Sequence, residues 1–255
     1  INGTVGNFTF SNLSINAFIL GFNHNSGKEG THRIHWQLGK ISGTMVGLCD
    51  NQYGNNVNGA GYFHMNDSNT NVGGWKDSSM RKTLLGNSNT PTTLANSLMA
   101  ALPSDLRAVM KSVTKYTDNV GNATGNVAGN VTVTTDYLFL LAEFEVFGAR
   151  YYANDYEKKY QLQYDYYKAG NSKIAYKTPL SGSGVVVARS PNYNNNNNFC
   201  NVNTGGGNNN NNAYYSAALL PGFYRYTVKW SSQAVKDDRC KRRDTSQGET
   251  PETAL

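Results

Sequence analysis

Four histidines, His24, His32, His35 and His64, fall within the first quarter of the chain. His32 and His35 are three residues apart, a spacing that lets two imidazoles bind one metal ion when they lie on a helix. Their segment, THRIHWQL, is more typical of a strand, and no HExxH motif accompanies it. We therefore predict no metal site and no cofactor.

A pair of glutamates is the next candidate for chemistry. Glu143 and Glu145 are two residues apart, so on a strand their carboxylates would share one face. A helix start is an equally good interpretation, with the glutamates used for capping or solvation. The chain has no GxSxG, no GxxxxGK[ST] and no GxGxxG between a strand and a helix. The sequence therefore predicts no catalytic residues, and we expect a protein that is not an enzyme.

Three cysteines, Cys49, Cys200 and Cys240, are widely spaced. No CxxC and no Cys/His ligand spacing occurs, so neither a zinc site nor a disulfide framework is indicated. One disulfide stays open as an alternative, but we favour buried or free thiols, because free cysteine commonly behaves as a small core residue.

The net charge of +6 has a distribution that does not favour nucleic acid. The one tight basic cluster, RCKRR at residues 239–243, lies among aspartates near the end of the chain, and the other basic residues are scattered. No apolar run approaches the roughly 20 residues that a membrane span needs, and no secretory leader is recognisable. We expect no nucleic-acid partner, no membrane insertion, and the rest of a longer parent chain on the N-terminal side.

Three segments have the end signals of helices. The first, in GWKDSSMRKTLLG, has Asp77 or Ser78 as its cap and Gly86 as its end. The second, in TPTTLANSLMAAL, is stopped by Pro103, and the third begins with Ser104 as its cap. The sequence therefore predicts helices between residues 77 and 113.

Strands and turns are predicted around these helices. Residues 1–48, 138–141, 185–187 and 223–230 have strand-like apolar patterns, whereas residues 50–74 are polar, rich in glycine and typical of a loop. Tyr152, Tyr156, Tyr160 and Tyr164 are four apart, which predicts one helical face packed on the core rather than an aromatic ligand stripe. We expect one domain over residues 1–230, followed by a disordered tail or a vector-derived remnant over 231–255.

Two runs of five asparagines, at residues 194–198 and 208–212, are the most unusual feature of the chain. Asparagine packs weakly and tolerates turns, so such runs are typical of low-complexity tracts. These runs are short, however, and they lie between apolar segments: VVV before them, FCNV between them and AYYSAALLPGFY after them. The pattern indicates a rigid frame that carries two loops or strand edges whose side chains can change.

Six motifs follow one another in order over residues 75–223: GWKDSSMRKTLL, LPSDLRAVMKSVTKYT, DYLFLLAEFEVFG, YQLQYDYYKAGNSK, ARSPNY…FCNV and LLPGF. This order resembles the phage-associated variable proteins of diversity-generating retroelements, which have a C-type lectin-like (formylglycine-generating-enzyme-like) fold. The resemblance implies an α+β fold with short antiparallel sheets, two or three helices and long ordered loops. It also implies N-terminal strands over residues 1–48 and a lectin-like body over 49–230.

In such systems a reverse transcriptase miscopies adenines of a template repeat into a variable repeat. Asparagine codons are AAC or AAT, so miscopying gives many residue types but never a stop codon. The resemblance therefore implies a variable ligand-binding surface made of Asn192, Tyr193, Asn194, Asn195, Asn196, Asn197, Asn198, Asn203, Asn208, Asn209, Asn210, Asn211, Asn212, Tyr214 and Tyr215. Phe199, Cys200, Val202 and residues 220–223 would be scaffold.

The function implied is a display domain on a virion tail or a bacterial cell surface, with a variable protein or glycan ligand on a cell surface as its partner. A virion module for structure or adhesion, without diversification, is the alternative. An enzyme of the same fold is less favoured, because the three cysteines match no catalytic arrangement and the calcium-dependent sugar-binding motifs of animal lectins are absent.

Overall fold

The computed structural model describes residues 1–49, 63–86, 94–177 and 182–226. Their fold is α+β and consists of short elements. The strands are β1 (Gly3–Val5), β2 (Phe8–Phe10), β3 (Asn16–Phe22), β4 (Arg33–Ile41), β5 (Thr44–Gly47), β6 (Val113–Asp118), β7 (Val131–Asp136), β8 (Ala175–Lys177), β9 (Ser183–Gly184), β10 (Val186–Pro191), β11 (Asn198–Val202), β12 (Asn208–Asn212) and β13 (Gly222–Tyr226). The helices are α1 (Ser26–Glu29), α2 (Gly74–Asp77), α3 (Leu98–Ala101), α4 (Ser104–Val109), α5 (Glu143–Phe147) and α6 (Asp165–Lys168).

The largest sheet is organised around β4, which pairs antiparallel with β3 and with β13 and continues into β5. β5 then pairs parallel with β8, so this sheet is not purely antiparallel. Gly222 opens β13 opposite Gln37, and a Cβ there would meet the Phe139 ring at 2.5 Å. The glycine of LLPGF is therefore required by the close approach of the aromatic ring to the backbone.

A second sheet has the order β10-β11-β12, and β6 and β7 form a separate antiparallel pair. The apolar side chains of these sheets and of the short helices meet in one core that includes the fully buried Trp75, Phe63 and Phe139. The indole of Trp75 donates to Asp136 at 2.9 Å, which fixes the α2 segment against β7. No helix in the described part of the chain is long and apolar enough to cross a membrane.

Several predicted elements are confirmed. The first 48 residues form strands and turns apart from the short helix α1, Val186 and Val187 begin β10, and β13 occupies the first part of the predicted closing strand. Ser97, at the start of α3, accepts a hydrogen bond from the Ala100 amide at 3.2 Å as an N-cap. Residues 50–62, residues 227–230 of the closing strand and the predicted tail over 231–255 lie outside the described residues.

The helical predictions need correction. The described residues contain six α-helical segments of four to six residues rather than two or three helices. In the first predicted helix, Asp77 ends α2, and a π-helical turn over Met80–Leu84 follows. Ser78 is the C-cap residue of α2 and Ser79 is the N-cap residue of the turn, although the Ser78 hydroxyl does accept from the Arg81 amide at 3.2 Å. Ser104 is the first residue of α4 and not its cap.

Two further predictions are wrong. Residues 138–141 are buried but form no strand, and Phe139 makes an isolated bridge with Gly222. The four spaced tyrosines do not share a helical face, since a 3₁₀ helix (Asp155–Lys159) and α6 divide the segment. Tyr160 stacks on Tyr116, whereas Tyr164 is fully buried and stacks on His24 at 3.7 Å. Helical periodicity fails here because each of these tyrosines packs against a different neighbour.

Candidate binding surface

The second asparagine run is the edge strand of the three-stranded sheet. β12 pairs antiparallel with β11 along its full length, with Asn212 opposite Asn198 and Asn208 opposite Val202. All five asparagines of β12 are partly exposed, whereas Phe199, Cys200 and Val202 of β11 are buried. The apolar side chains of β11 therefore hold the sheet in the core, and β12 presents amides at its rim.

The first asparagine run forms a loop up to residue 197 and enters β11 at Asn198, and its backbone is held by a side chain from elsewhere in the chain. The Asn71 amide nitrogen Nδ2 donates to the carbonyl oxygens of Asn192 at 3.3 Å, Asn195 at 2.6 Å and Asn198 at 2.9 Å. The Asn71 backbone amide donates to the Asn196 carbonyl at 2.9 Å. Because these contacts use backbone acceptors, the loop shape depends little on its own exposed side chains.

Some of the predicted surface residues are part of the frame. Asn192 is buried, and its Oδ1 accepts from the Asn194 amide while its Nδ2 donates to Asn210. Asn195 Oδ1 accepts from the amides of residues 197 and 198, at 2.8 and 3.0 Å. Asn203 lies in the β11–β12 turn, at the opposite end of the hairpin from the loop, where its Oδ1 accepts from Gly205 and Gly207. These three asparagines close turns in the way that Asx side chains commonly do.

The remaining predicted asparagines, with Tyr214 and Tyr215, are all at least partly exposed, and they lie in the loop before β11, at the start of β11, along β12 and just after it. Asn194 and Asn196 are exposed, and the others are partly exposed. We call this set the asparagine surface: Asn194, Asn196, Asn197, Asn198, Asn208, Asn209, Asn210, Asn211, Asn212, Tyr214 and Tyr215. Its amides already bond one another in places, since Asn198 Nδ2 donates to Asn210 Oδ1.

Tyr193 flanks this surface, and Tyr214 and Tyr215 are its aromatic members. Tyr193 is fixed through its backbone, which donates to the Tyr152 carbonyl and accepts from the Gly125 amide, both at 2.9 Å. The Arg150 guanidinium lies over the Tyr193 ring, 4.1 Å from its centroid. Tyr214 and Tyr215 pack edge to face with centroids 5.2 Å apart. Partly exposed tyrosines of this kind supply contact area with few rotatable bonds.

A small cavity of about 20 Å³ lies beneath the rim of β12, next to Asn211, Asn212 and Tyr215. That volume suits about one water molecule. Two buried polar atoms at its wall, Asn201 Oδ1 and Ser216 Oγ, have no hydrogen-bond partner among the described residues. An unpaired buried acceptor is costly, so a bound water is the expected partner of these atoms.

Behind the sheet lies a buried charge cluster of Glu29, Lys115, Glu145 and Arg189. Arg189, on β10, binds Glu145 through both terminal nitrogens and also donates to the Thr117 hydroxyl and the Leu140 carbonyl. Lys115 Nζ donates to Glu29 Oε2 at 2.8 Å and to Glu145 Oε1 at 3.1 Å. Two cations thus face two carboxylates, which anchors β10 and the sheet that it carries.

Burial and charge shift the ionisation of this cluster in opposite directions. Burial alone would raise the pKa of Glu145, but the charges of Arg189 and Lys115 outweigh it and hold that pKa well below its usual range. For Glu29, burial outweighs the attraction of Lys115, so its pKa is raised. Burial, aided by Lys115, lowers the pKa of His24 to about 3 and that of His35 to about 2. Both imidazoles are therefore neutral at pH 7.

His24, Glu29 and Glu145 place one ligand atom each within 4.8 Å of one another, which is the geometry of a possible metal site. Lys115 Nζ already bonds both of these carboxylates and the Tyr164 hydroxyl, at 2.8 Å for the latter. A metal ion would have to displace this ammonium from between its two partners. The chain itself thus supplies the cation that the two carboxylates require. His32 is exposed, whereas His35 is buried at this cluster, so the two do not converge.

The glutamate pair is a helix start, as one of the two interpretations had it. Glu145 Oε2 accepts from the Ala142 amide at the beginning of α5. Glu143 accepts from the backbone amides of Tyr151, Tyr152 and Ala153, at 2.8 to 3.0 Å. Both glutamates are buried, so solvation is not their role. Cys49 and Cys200 are buried free thiols, as favoured, and Cys240 lies outside the described residues.

A model for a family described as Domain of unknown function (DUF6273) matches residues 55–224. The chain belongs to the DUF6273 family. The match contains the asparagine surface, Asn71 and the pair of Glu145 with Arg189, but it begins after Glu29. No curated protein and no solved structure matches the chain.

Sequence reasoning missed two residues that support the surface of this DUF6273 domain. Asn71 lies in a polar stretch with many asparagines, and nothing in the sequence distinguishes it from its neighbours. Lys115 lies in the alternating segment VTKYTD, where a lysine suggests a solvent-facing position. Burial of Lys115 could be anticipated only from its partners, which are 86 and 30 residues away in the chain.

Proposed function

We propose that this DUF6273 domain is a non-enzymatic display module that presents the asparagine surface to a protein or glycan ligand on a cell surface. The observation that carries the proposal is that the two asparagine runs adjoin where Asn198 pairs with Asn212, with their backbone held by β11 and Asn71. Side chains there can be exchanged while the frame is kept. A few residues usually dominate binding energy, so about ten exchangeable positions can change the ligand.

The order of motifs over residues 75–223 extends this proposal to diversification by a retroelement, on a phage tail or a bacterial surface, in a C-type lectin-like fold. In this interpretation the asparagines belong to a variable repeat whose adenines have not yet been replaced by miscopying. The asparagine form itself binds weakly, because its amides satisfy one another and no ligand has selected them.

Amplicon sequencing of the locus across a natural population tests the diversification. We expect substitutions confined to adenine-bearing codons within residues 193–215, with silent flanks. Substitutions spread evenly along the gene, or none at all, would contradict it and leave a structural or adhesion module.

Display itself is tested with two libraries of equal size. The first randomises Asn194, Asn196, Asn209 and Asn211, and the matched control library randomises Asn71, Asn192, Asn195 and Asn203. We expect most members of the first library to fold and some to bind whole bacterial cells, whereas most members of the second fail to fold. Equal folding losses in the two libraries would contradict the display function.

A further inference from the structure

The buried charge cluster contains a lysine and a carboxylate in a setting where they can react. Lys115 Nζ and Glu29 Oε2 are 2.8 Å apart, and the exposed fractions of the two side chains are 0% and 3%. This hydrogen bond holds the two groups in contact, and bond formation begins from a separation of about 3–3.5 Å between the reacting atoms.

Aromatic rings enclose this pair. The Phe139 ring centroid lies 4.2 Å from Lys115 Nζ, and the Tyr164 ring centroid lies 5.2 Å from it. His24 stacks on Tyr164, and His35 Nδ1 is 3.1 Å from the Tyr164 hydroxyl. A separated ion pair is expensive in such a place, since each buried charge costs several kcal/mol of desolvation. A neutral amide removes that cost.

The second carboxylate of the cluster is placed to move protons. Glu145 Oε1 is 3.1 Å from Lys115 Nζ, and Glu145 is held ionised by Arg189. Glu29 has Lys115 as its charged partner and an amide contact from Asn25 at 3.5 Å, and burial raises its pKa, so it takes up a proton more readily than Glu145. The cluster thus combines an ammonium group, a carboxylate that can become the electrophilic acid, and a second carboxylate that can carry the proton.

We propose that Lys115 and Glu29 condense to an intramolecular isopeptide bond, with Glu145 as the proton carrier. Glu145 transfers one ammonium proton to Glu29, which leaves a neutral amine and a carboxylic acid. Nζ then bonds to Glu29 Cδ, and the Cδ–OH bond breaks. Glu145 passes the second proton from nitrogen to the departing hydroxyl, so one water leaves and Glu145 remains ionised against Arg189. The step needs no oxidant, reductant or co-reactant.

The bond would join α1 to β6 across 86 residues of sequence. It would fix the N-terminal strands to the part of the chain that carries the asparagine surface. This inference does not depend on the display function, because it concerns the frame alone.

Intact-mass spectrometry of the denatured full chain tests the proposal. We expect a mass lower by one water molecule than the sequence requires, and trypsin that fails to cut after Lys115. The expected product is a branched peptide that joins Lys115 to Glu29. The Lys82–Asp77 pair is an internal control, because its 2.6 Å contact is solvent-exposed and should stay unlinked, with normal cleavage after Lys82.

The variants Lys115→Arg and Glu145→Gln are each expected to have the full mass, because the first lacks the nucleophile and the second lacks the base. The wild-type mass is the decisive reading, because a variant that fails to fold also keeps the full mass. A wild-type chain with the full mass and normal cleavage after Lys115 would overturn the proposal. Loss of water mapped to a different peptide would overturn it as well.

Discussion

The buried charge cluster and the asparagine surface are two polar regions attached to the same sheet, and they are stabilised in opposite ways. The cluster uses full charges with specific partners, and its Lys115, Glu145 and Arg189 are completely buried. The surface uses neutral amides at the rim of β12, where water can replace any lost partner. Removing one charge from the cluster leaves another buried charge without a partner. Removing one amide from the surface leaves few groups without a partner, because water can replace it. Tolerance to substitution should therefore differ sharply over the short distance between Arg189 and Asn194.

The largest difference should come from breaking the cluster. Arg189→Met leaves Glu145 without its bidentate partner, and loss of one member of a buried pair costs about 3–5 kcal/mol. We expect that decrease in the free energy of unfolding by urea denaturation. Lys82→Met, which removes an exposed ion pair, is the matched control and should cost at most about 1 kcal/mol. Similar costs for the two variants would show that the cluster does not support the sheet.

Asn71 holds the loop that carries the first asparagine run, and its loss should come next in size. Asn71→Ala removes the donor to three carbonyls of the loop, at about 1 kcal/mol for each hydrogen bond, so we expect a cost of about 3 kcal/mol. Amide hydrogen exchange should rise across residues 192–198. The control is Asn196→Ala, at an exposed position of the same loop. An unchanged exchange rate in Asn71→Ala would mean that the loop holds its own shape.

Acid should weaken the cluster region through His24. Its pKa is lowered from 6.5 to about 3 in the folded state, so the unfolded chain takes up a proton that the folded chain refuses. The resulting stability is present above pH 6.5 and is lost as the pH falls towards 3, by about 1.4 kcal/mol per unit. Burial raises the pKa of Glu157 to about 7, which has the opposite effect below pH 7. The contribution of His24 is therefore obtained from the difference in pH dependence between the wild type and a variant that lacks this imidazole.

His24→Phe keeps an aromatic ring against Tyr164 and removes the titrating nitrogen. Between pH 6.5 and pH 5 we expect the variant to lose about 2 kcal/mol less than the wild type, as measured by urea denaturation at each pH. His32→Gln, at an exposed position, is the control and should follow the wild type. Parallel curves for His24→Phe and the wild type would show that folding does not lower the pKa of His24.

The same contrast decides what the sequence could predict. Apolar runs such as those of β10 and β11 are visible locally, and so were the position of the asparagine runs and the mixed α+β class. The prediction from the tyrosine spacing failed, because the position of Tyr164 is set by its contacts with His24, Lys115 and His35, which are distant in sequence. Asn192, Asn195 and Asn203 look like their neighbours in sequence, and only the turn that each closes separates them from the exposed asparagines.

The smallest effects should come from the asparagine surface itself. Single changes of Asn194, Asn196 or Asn211 to Tyr, Ser or Asp should shift the free energy of unfolding by about 0.5 kcal/mol or less, since these side chains are exposed or partly exposed. Asn195→Ser is the matched comparison within the same run. Its Oδ1 accepts two backbone amides, so we expect a cost of about 1 kcal/mol, measured by thermal and urea unfolding. If the exposed positions cost as much as Asn195, the whole run would be part of the frame, and side-chain exchange could not be the function of this surface.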